Sequence, residues 1–376
     1  MIPRSLILAS AVLLAGCGPD APSTEAEAPA PEAGASIRTD TFSFEVGGSR
    51  LVGLLDTPTD RDATSTIVLV HGYGGTNVVA GNGYADLRAH FAALGINVLV
   101  WDKPGHGMSE GEFDIDQPVE SSAEEVVAAV HALRGRGIPG SDRIGLWGRS
   151  RAGWIAPLAI RAEPSVAFWI SVSGVDDREN ARYLLASNLP IEGRSAEETE
   201  RLVDAWQRSV DAVWRGGSYE EYLEAASELG EDPFVQFMGW GQPATREKFL
   251  ADQARFERGE LTVDEESGLP VYVRGFRDLL SSLDLPVLAL FGEKDTNVDW
   301  RETAELYRET IGENPRAELS VRVFTGANHD LEQSRTGGVR EGRTRDAPYA
   351  EGYLDAMAAW LVSHGFGSRP APAEGR

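Results

Sequence analysis

Four apolar residues in an unbroken row, Ile67-Val68-Leu69-Val70, run straight into the glycine-rich turn His71-Gly72-Tyr73-Gly74-Gly75. A strand apolar on both faces needs cover on both sides, which is the situation of a parallel strand between two layers of helices. Further short apolar or β-branched runs predict strands at Thr41–Val46, Arg50–Thr57, Thr66–Val70, Ile96–Asp102, Arg143–Trp147, Val166–Val172, Pro286–Phe291 and Ser320–Phe324. The first two flank Gly47-Gly48 and read as a hairpin. Apolar residues at three- and four-residue spacing predict helices over Asp86–Leu94, Ser121–Leu133, Ala152–Arg161, Arg301–Ile311 and Tyr349–Ser363. Ser121 or Ser122, with Glu124 and Glu125 behind it, is the expected N-cap of the second. Alternating strands and helices specify an α/β class: a mostly parallel eight-stranded sheet with helices on both faces.

The alternation breaks once. From about 176 to 283 the chain is charged and helical in pattern, with Trp206, Trp214, Trp240 and the run Phe234-Val235-Gln236-Phe237-Met238. This stretch reads as a cap inserted after the sixth strand, and a chain of 376 residues has room for one. With 35 Lys+Arg against 59 Asp+Glu, the net charge of −24 leaves nothing to neutralise phosphates, so no nucleic-acid partner is expected. A single cysteine, Cys17, excludes a disulfide framework and a thiolate zinc site.

That cysteine closes a distinctive amino terminus. Arg4 precedes an apolar run from Leu6 to Leu14, the layout of a secretory signal and too short to span a bilayer. Leu14-Ala15-Gly16-Cys17 resembles the lipobox of bacterial lipoproteins. The resemblance implies that residues 1–16 are removed and that Cys17 is lipidated, anchoring the protein to a membrane on the periplasmic side. Gly18, where lipoproteins retained at the inner membrane usually carry Asp, leans toward the outer membrane. A plain signal peptide cut near Ala15 or Gly16 is the alternative. Residues 17–36 are rich in Pro, Ala and Glu and read as a disordered tether. The main body is then expected over 37–366, with 367–376 a frayed tail.

Three residues with catalytic chemistry follow strand ends. Ser150 lies in Gly148-Arg149-Ser150-Arg151-Ala152-Gly153, between a strand and a helix, where small neighbours permit a sharp turn that lifts the hydroxyl above the sheet. Asp295 follows the strand ending at Phe291, and His329 follows the one ending at Phe324. Open α/β sheets place their sites at this edge. The turn at His71-Gly72 and the backbone N–H of Arg151 are placed to form an oxyanion hole.

With these pieces, and with Asp102-Lys103-Pro104-Gly105-His106-Gly107-Met108-Ser109 similar to the D-x-x-G-x-G-x-S turn after the fourth strand, the chain resembles an α/β-hydrolase. The likeness covers about Ile37 to Phe366 and is nearest to the acyl-esterase and prolyl-oligopeptidase-like branch. Ala152, in place of the usual glycine, and the arginines flanking the serine depart from the pattern. The resemblance implies a serine hydrolase in which Ser150 attacks an acyl carbonyl, His329 moves the proton and Asp295 orients the imidazole, with Asp176 and Asp177 as reserves for the acid. It implies Tyr73 as the loop donor of the oxyanion hole.

A small-molecule ester is the expected substrate. A peptide substrate and a catalytically inactive binding lipoprotein are the alternatives. Arg149 and Arg151 stand where they would attract an anionic group, or they pair with acids of this acidic chain. Trp206 and Trp240, with Trp214, Phe234 and Phe237, would wall an acyl pocket or form the cap's own core. No metal-binding, Walker or dinucleotide motif occurs in the sequence, so neither a metal nor a cofactor is expected.

Overall fold

The computed structural model describes residues 36–264, 267–344 and 347–368. The expected signal peptide, Cys17, the expected tether as far as residue 35 and the expected tail from residue 369 lie outside the described residues.

Eight strands form one sheet: β1 (Ile37–Val46), β2 (Ser49–Pro58), β3 (Ser65–Val70), β4 (Ile96–Trp101), β5 (Ile144–Arg149), β6 (Phe168–Val172), β9 (Pro286–Gly292) and β10 (Glu318–Phe324). Two-residue strands β7 (Thr262–Val263) and β8 (Pro270–Val271) pair outside it. The order is β1-β2-β4-β3-β5-β6-β9-β10, antiparallel where β2 meets β1 and β4 and parallel from β4 onward. The hairpin closes at Val46↔Ser49, with Gly47 at φ 57° and Gly48 at φ 84°, the pair of positive φ values that a tight two-residue turn requires.

Strand β3 is buried along its whole length. Its side chains alternate between two cores. Val68 and Val70 face the layer containing Val126, Ile155 and Leu280, whereas Ile67 and Leu69 face Phe91, Met357 and Leu361. Helices Val119–Gly135 and Ala152–Ala162 supply the first layer, and Ala85–Ala93 and Tyr353–Ser363 the second.

Several boundaries differ from the expectation by a few residues, and three of the differences are instructive. Strand β1 begins at Ile37, four residues early, because its polar first half lies on the sheet edge, mostly exposed, and shows no apolar alternation. The helix expected from Ser121 or Ser122 starts at Val119 with Pro118 as its N-cap, so neither serine caps it. Ser122 Oγ instead accepts a hydrogen bond from Arg151. The last helix begins only at Tyr353, after Gly352 at φ 76°.

Between β6 and β9 lie helices Ala181–Ile191, Ala196–Trp214, Tyr219–Gly230, Pro233–Phe237 and Arg246–Glu257. They enclose a cluster of their own around Leu185, Trp206, Tyr222, Phe234 and Phe249. Ser195 and Ser218 each begin a helix with a reciprocal capping box, which places acids in the first turn. The end of the inserted stretch belongs elsewhere, since Phe276, Leu279 and Leu280 join the core beneath the sheet. The chain enters and leaves this cap through two adjacent segments, bridged at Arg178↔Val271. Among the described residues, no helix is long and apolar enough to cross a membrane.

Candidate active site

Strand β5 ends at Arg149 and the next helix begins at Ala152, so the chain reverses within two residues. Ser150 makes the turn at φ 59°, a region a non-glycine residue enters only at a cost. Its N–H donates to Val172 O at 3.0 Å and its carbonyl accepts from Gly153 N–H at 2.7 Å. A Cβ on Gly148 would lie 2.5 Å from the Cβ of Ala152, and one on Gly153 would lie 2.8 Å from Val175 N. The turn therefore tolerates one methyl group across this gap. Ala152 carries it and Gly148 leaves the space. Among the described residues the Ser150 hydroxyl makes no hydrogen bond; such contacts often tighten only once substrate is bound.

The acid and the imidazole meet. His329 Nδ1 donates to Asp295 Oδ2 at 2.8 Å, with the residues 8 % and 3 % exposed. The other carboxylate oxygen accepts from the N–H groups of Asn297 at 2.8 Å and Val298 at 3.0 Å. The loops after β9 and β10 touch so closely that a Cβ on Gly292 would lie 2.1 Å from Asn328 O. Burial works against a charged His329, but Asp295 outweighs it and the imidazole pKa is raised. With Nδ1 engaged, Nε2 is the nitrogen left for proton transfer. The reserve acids face another partner. Asp176 accepts from Arg178 Nη2 at 3.0 Å, and Asp177 lies 3.9 Å from Arg178 Nε. Burial pushes Asp176 up to about 6 despite that arginine.

The loop after β3 lies against the serine turn, with a Cβ on Gly72 falling 3.8 Å from that of Ser150. Tyr73 is half-buried within it. Lys103, itself buried, donates to Gly72 O at 2.7 Å and Gly74 O at 2.6 Å, tying both carbonyls to one ammonium. Neighbouring Asp102 accepts from the N–H groups of Val78 at 2.5 Å, Val79 at 3.0 Å and Met108 at 2.9 Å, which fixes the turn that carries Lys103. The Lys103 contacts are absent from the sequence reading. Lys103 lies in the Asp102–Ser109 turn pattern, which by itself does not indicate where the ammonium goes.

Both flanking arginines have partners within the protein. Arg149 pairs with Asp330 at 2.7 Å, joining the residue before Ser150 to the residue after His329. Burial opposes the Arg149 charge, yet Asp330 outweighs it and the pKa is raised. The Arg151 side chain turns inward, donating to Ser122 Oγ at 3.1 Å and to Gln117 O. That leaves its backbone N–H at the start of the helix, where amides have no intrahelical acceptor. Trp206 and Trp240, expected at an acyl pocket, are 1 % and 5 % exposed within the cap's own cluster, as is Phe234. Phe237 is half-buried beneath the Arg340 guanidinium, 4.1 Å from the ring centre. Among the described residues no group of three or more His, Cys, Asp or Glu side chains is placed to hold a metal.

Comparison with known proteins finds likenesses of fold. The chain is similar in structure to DcsB in complex with its substrate analogue, at 17 % identity and a TM-score of 0.50, covering 87 % of this chain and 99 % of that one. It is also similar to the esterase Pf2001 of Pyrococcus furiosus, at 16 % identity and a TM-score of 0.49, covering 87 % and 93 %. A third likeness is to Est1E of Butyrivibrio proteoclasticus with bound ferulic acid, at 13 % identity and a TM-score of 0.47, covering 86 % and 97 %. No curated protein sequence matches the chain. The profile of the alpha/beta hydrolase family matches residues 67–341, a span that takes in Ser150, Asp295 and His329 together with the whole cap. The chain belongs to the alpha/beta hydrolase family.

Proposed function

We propose that the protein is a serine hydrolase that cleaves a carboxylic ester through an acyl-enzyme. The observation carrying this reading is the buried Asp295–His329 hydrogen bond of 2.8 Å, at the sheet edge where Ser150 stands in its left-handed turn. Ser150 Oγ attacks the acyl carbon while His329 Nε2 takes its proton. Asp295 keeps Nδ1 protonated and steadies the imidazolium. The backbone N–H groups of Tyr73 and Arg151 receive the carbonyl oxygen as it becomes an oxyanion. The proton on Nε2 then passes to the departing alcohol. Water, deprotonated by the same nitrogen, releases the acid and restores Ser150.

Treating the body from residue 37 onward with a fluorophosphonate and mapping the adduct by mass spectrometry tests the assignment. Labelling at Ser150 that is lost in Ser150→Ala and slowed in His329→Ala is the expected result. No adduct at Ser150, together with ester turnover unaffected by Ser150→Ala, would overturn it. A panel of nitrophenyl esters beside aminoacyl amides then separates an ester from a peptide substrate.

We also infer that the mature chain begins at a lipidated Cys17 and works at a bacterial membrane on the periplasmic side. Two or three acyl chains, at roughly 0.8 kcal/mol per buried methylene, would anchor it firmly. Mass spectrometry of the amino-terminal peptide from the native and Cys17→Ser proteins checks this. An unmodified peptide starting elsewhere refutes it.

A further inference from the structure

We propose that Tyr183 and Asn188, on the first cap helix Ala181–Ile191, are positioning residues for the catalytic carboxylate, which makes that helix part of the mounting of the active site. The proposal rests on the Ser150–His329–Asp295 reading above.

Asp295 sits in a tight turn whose amides and carbonyls have separate duties. On one side, the N–H groups of Asn297 and Val298 hold carboxylate Oδ1. On the other, the carbonyls are taken by the cap helix. The Tyr183 hydroxyl donates to Asp295 O at 3.0 Å, and Asn188 Nδ2 donates to Thr296 O at 3.1 Å. The carbonyl of Thr296 and the N–H of Asn297 belong to one planar peptide group. By gripping the oxygen, Asn188 sets the direction of the amide that grips the carboxylate.

Asn188 is itself held in place. It is 1 % exposed, and its second amide hydrogen goes to Leu184 O at 2.9 Å, one turn back on its own helix. Its Oδ1 accepts from Val339 N–H at 2.9 Å, at the head of the segment that follows the histidine loop. The single proton of the Thr296 hydroxyl goes to Gly337 O at 2.8 Å rather than to Asn188 Oδ1 at 3.4 Å, which ties the acid turn to the same segment. One buried amide thus joins the cap, the acid turn and the chain beyond His329. A contact that only fastened the cap would have no need to end on the peptide group supporting Asp295.

The test compares the parent, Asn188→Ala and Tyr183→Phe as full-length proteins, by ester hydrolysis across pH and by thermal unfolding. Loss of one such bond loosens Asp295, so kcat falls about five- to tenfold, the scale of one or two hydrogen bonds, while KM stays within about twofold. The pH at which kcat/KM reaches half its plateau moves down, because a less well-placed Asp295 supports His329 less. If both variants keep the parent kcat and pH profile and lose only thermal stability, the residues merely fasten the cap and the proposal fails. Should Asn188→Ala not fold, Tyr183→Phe decides, since it removes one hydroxyl and keeps the ring. A parent that neither reacts with fluorophosphonate at Ser150 nor hydrolyses any ester contradicts the triad reading itself, an outcome distinct from variants that match an active parent.

Discussion

Replacing Lys103 with methionine keeps most of the side-chain volume and removes one buried ammonium. In the folded protein that ammonium donates to Gly72 O and Gly74 O at 2.7 and 2.6 Å, so two carbonyls lose their donor together. Hydrogen bonds from a charged donor contribute about 1.5–3 kcal/mol each, and the substitution also relieves the cost of burying the charge, so a net destabilisation of roughly 2–4 kcal/mol is expected. The larger effect falls on catalysis. With nothing tying those carbonyls together, the loop rotates and the Tyr73 N–H leaves the position the oxyanion will occupy. Removing one oxyanion donor costs about 100- to 1000-fold in kcat. Turnover of a short nitrophenyl ester, followed beside urea unfolding, separates the two effects: kcat should fall about a hundredfold or more with little change in KM. A variant that loses stability as expected yet turns over like the parent would refute the reasoning, because the loop would then hold its shape without Lys103.

Three further outcomes follow from the same geometry. The raised pKa of His329 means that kcat/KM climbs as the imidazole loses its proton at a pH above the ordinary histidine value; protonated His329 also favours the folded state, so this stability is complete below the unfolded pKa and is lost as pH rises through the folded one. In Asp295→Asn both transitions should move to lower pH, and an unmoved kinetic profile would contradict the pairing. Gly148→Ala should cost about 1–3 kcal/mol by overpacking against Ala152, and the double variant with Ala152→Gly should recover most of the loss in thermal unfolding; no recovery would place the strain elsewhere. Arg149→Ala should change KM for anionic and neutral esters by the same factor and cost no more than about 1 kcal/mol, because its partly exposed pair with Asp330 is screened by water; a selective rise in KM for anionic esters would show the guanidinium reaching substrate.

The strand-and-helix frame was legible because each central strand is an apolar run too short for a helix and bounded by turn residues. The candidate site was legible to the same depth: Ser150, Asp295 and His329 each follow a strand, and the sheet edge collects whatever follows its strands. What escaped notice depends on distance along the chain. Asn188 meets Thr296 from 108 positions away, and Lys103 meets the loop carbonyls from about thirty. Nothing local shows where either side chain goes. Asp330 stood beside His329 in plain view, but only the packing of two loops reveals that its partner is Arg149. The tryptophans mislead for a related reason. A cap that encloses a cluster of its own needs large rings inside itself, and composition does not distinguish a ring facing inward from one facing a ligand.

The way the cap joins the body bears on how such a protein changes its diet. Because the inserted chain departs and returns through neighbouring segments bridged at Arg178↔Val271, and holds together around its own apolar interior, it resembles a cartridge with a narrow fitting. Its first helix is fastened further, through Tyr183 and Asn188, to the turn that bears Asp295, while Phe237 and Lys248 meet the body at Arg340 and Asp116. A piece that recombination could exchange without disturbing that turn therefore starts beyond Ile191, and transplants cut earlier should yield folded proteins with blunted chemistry.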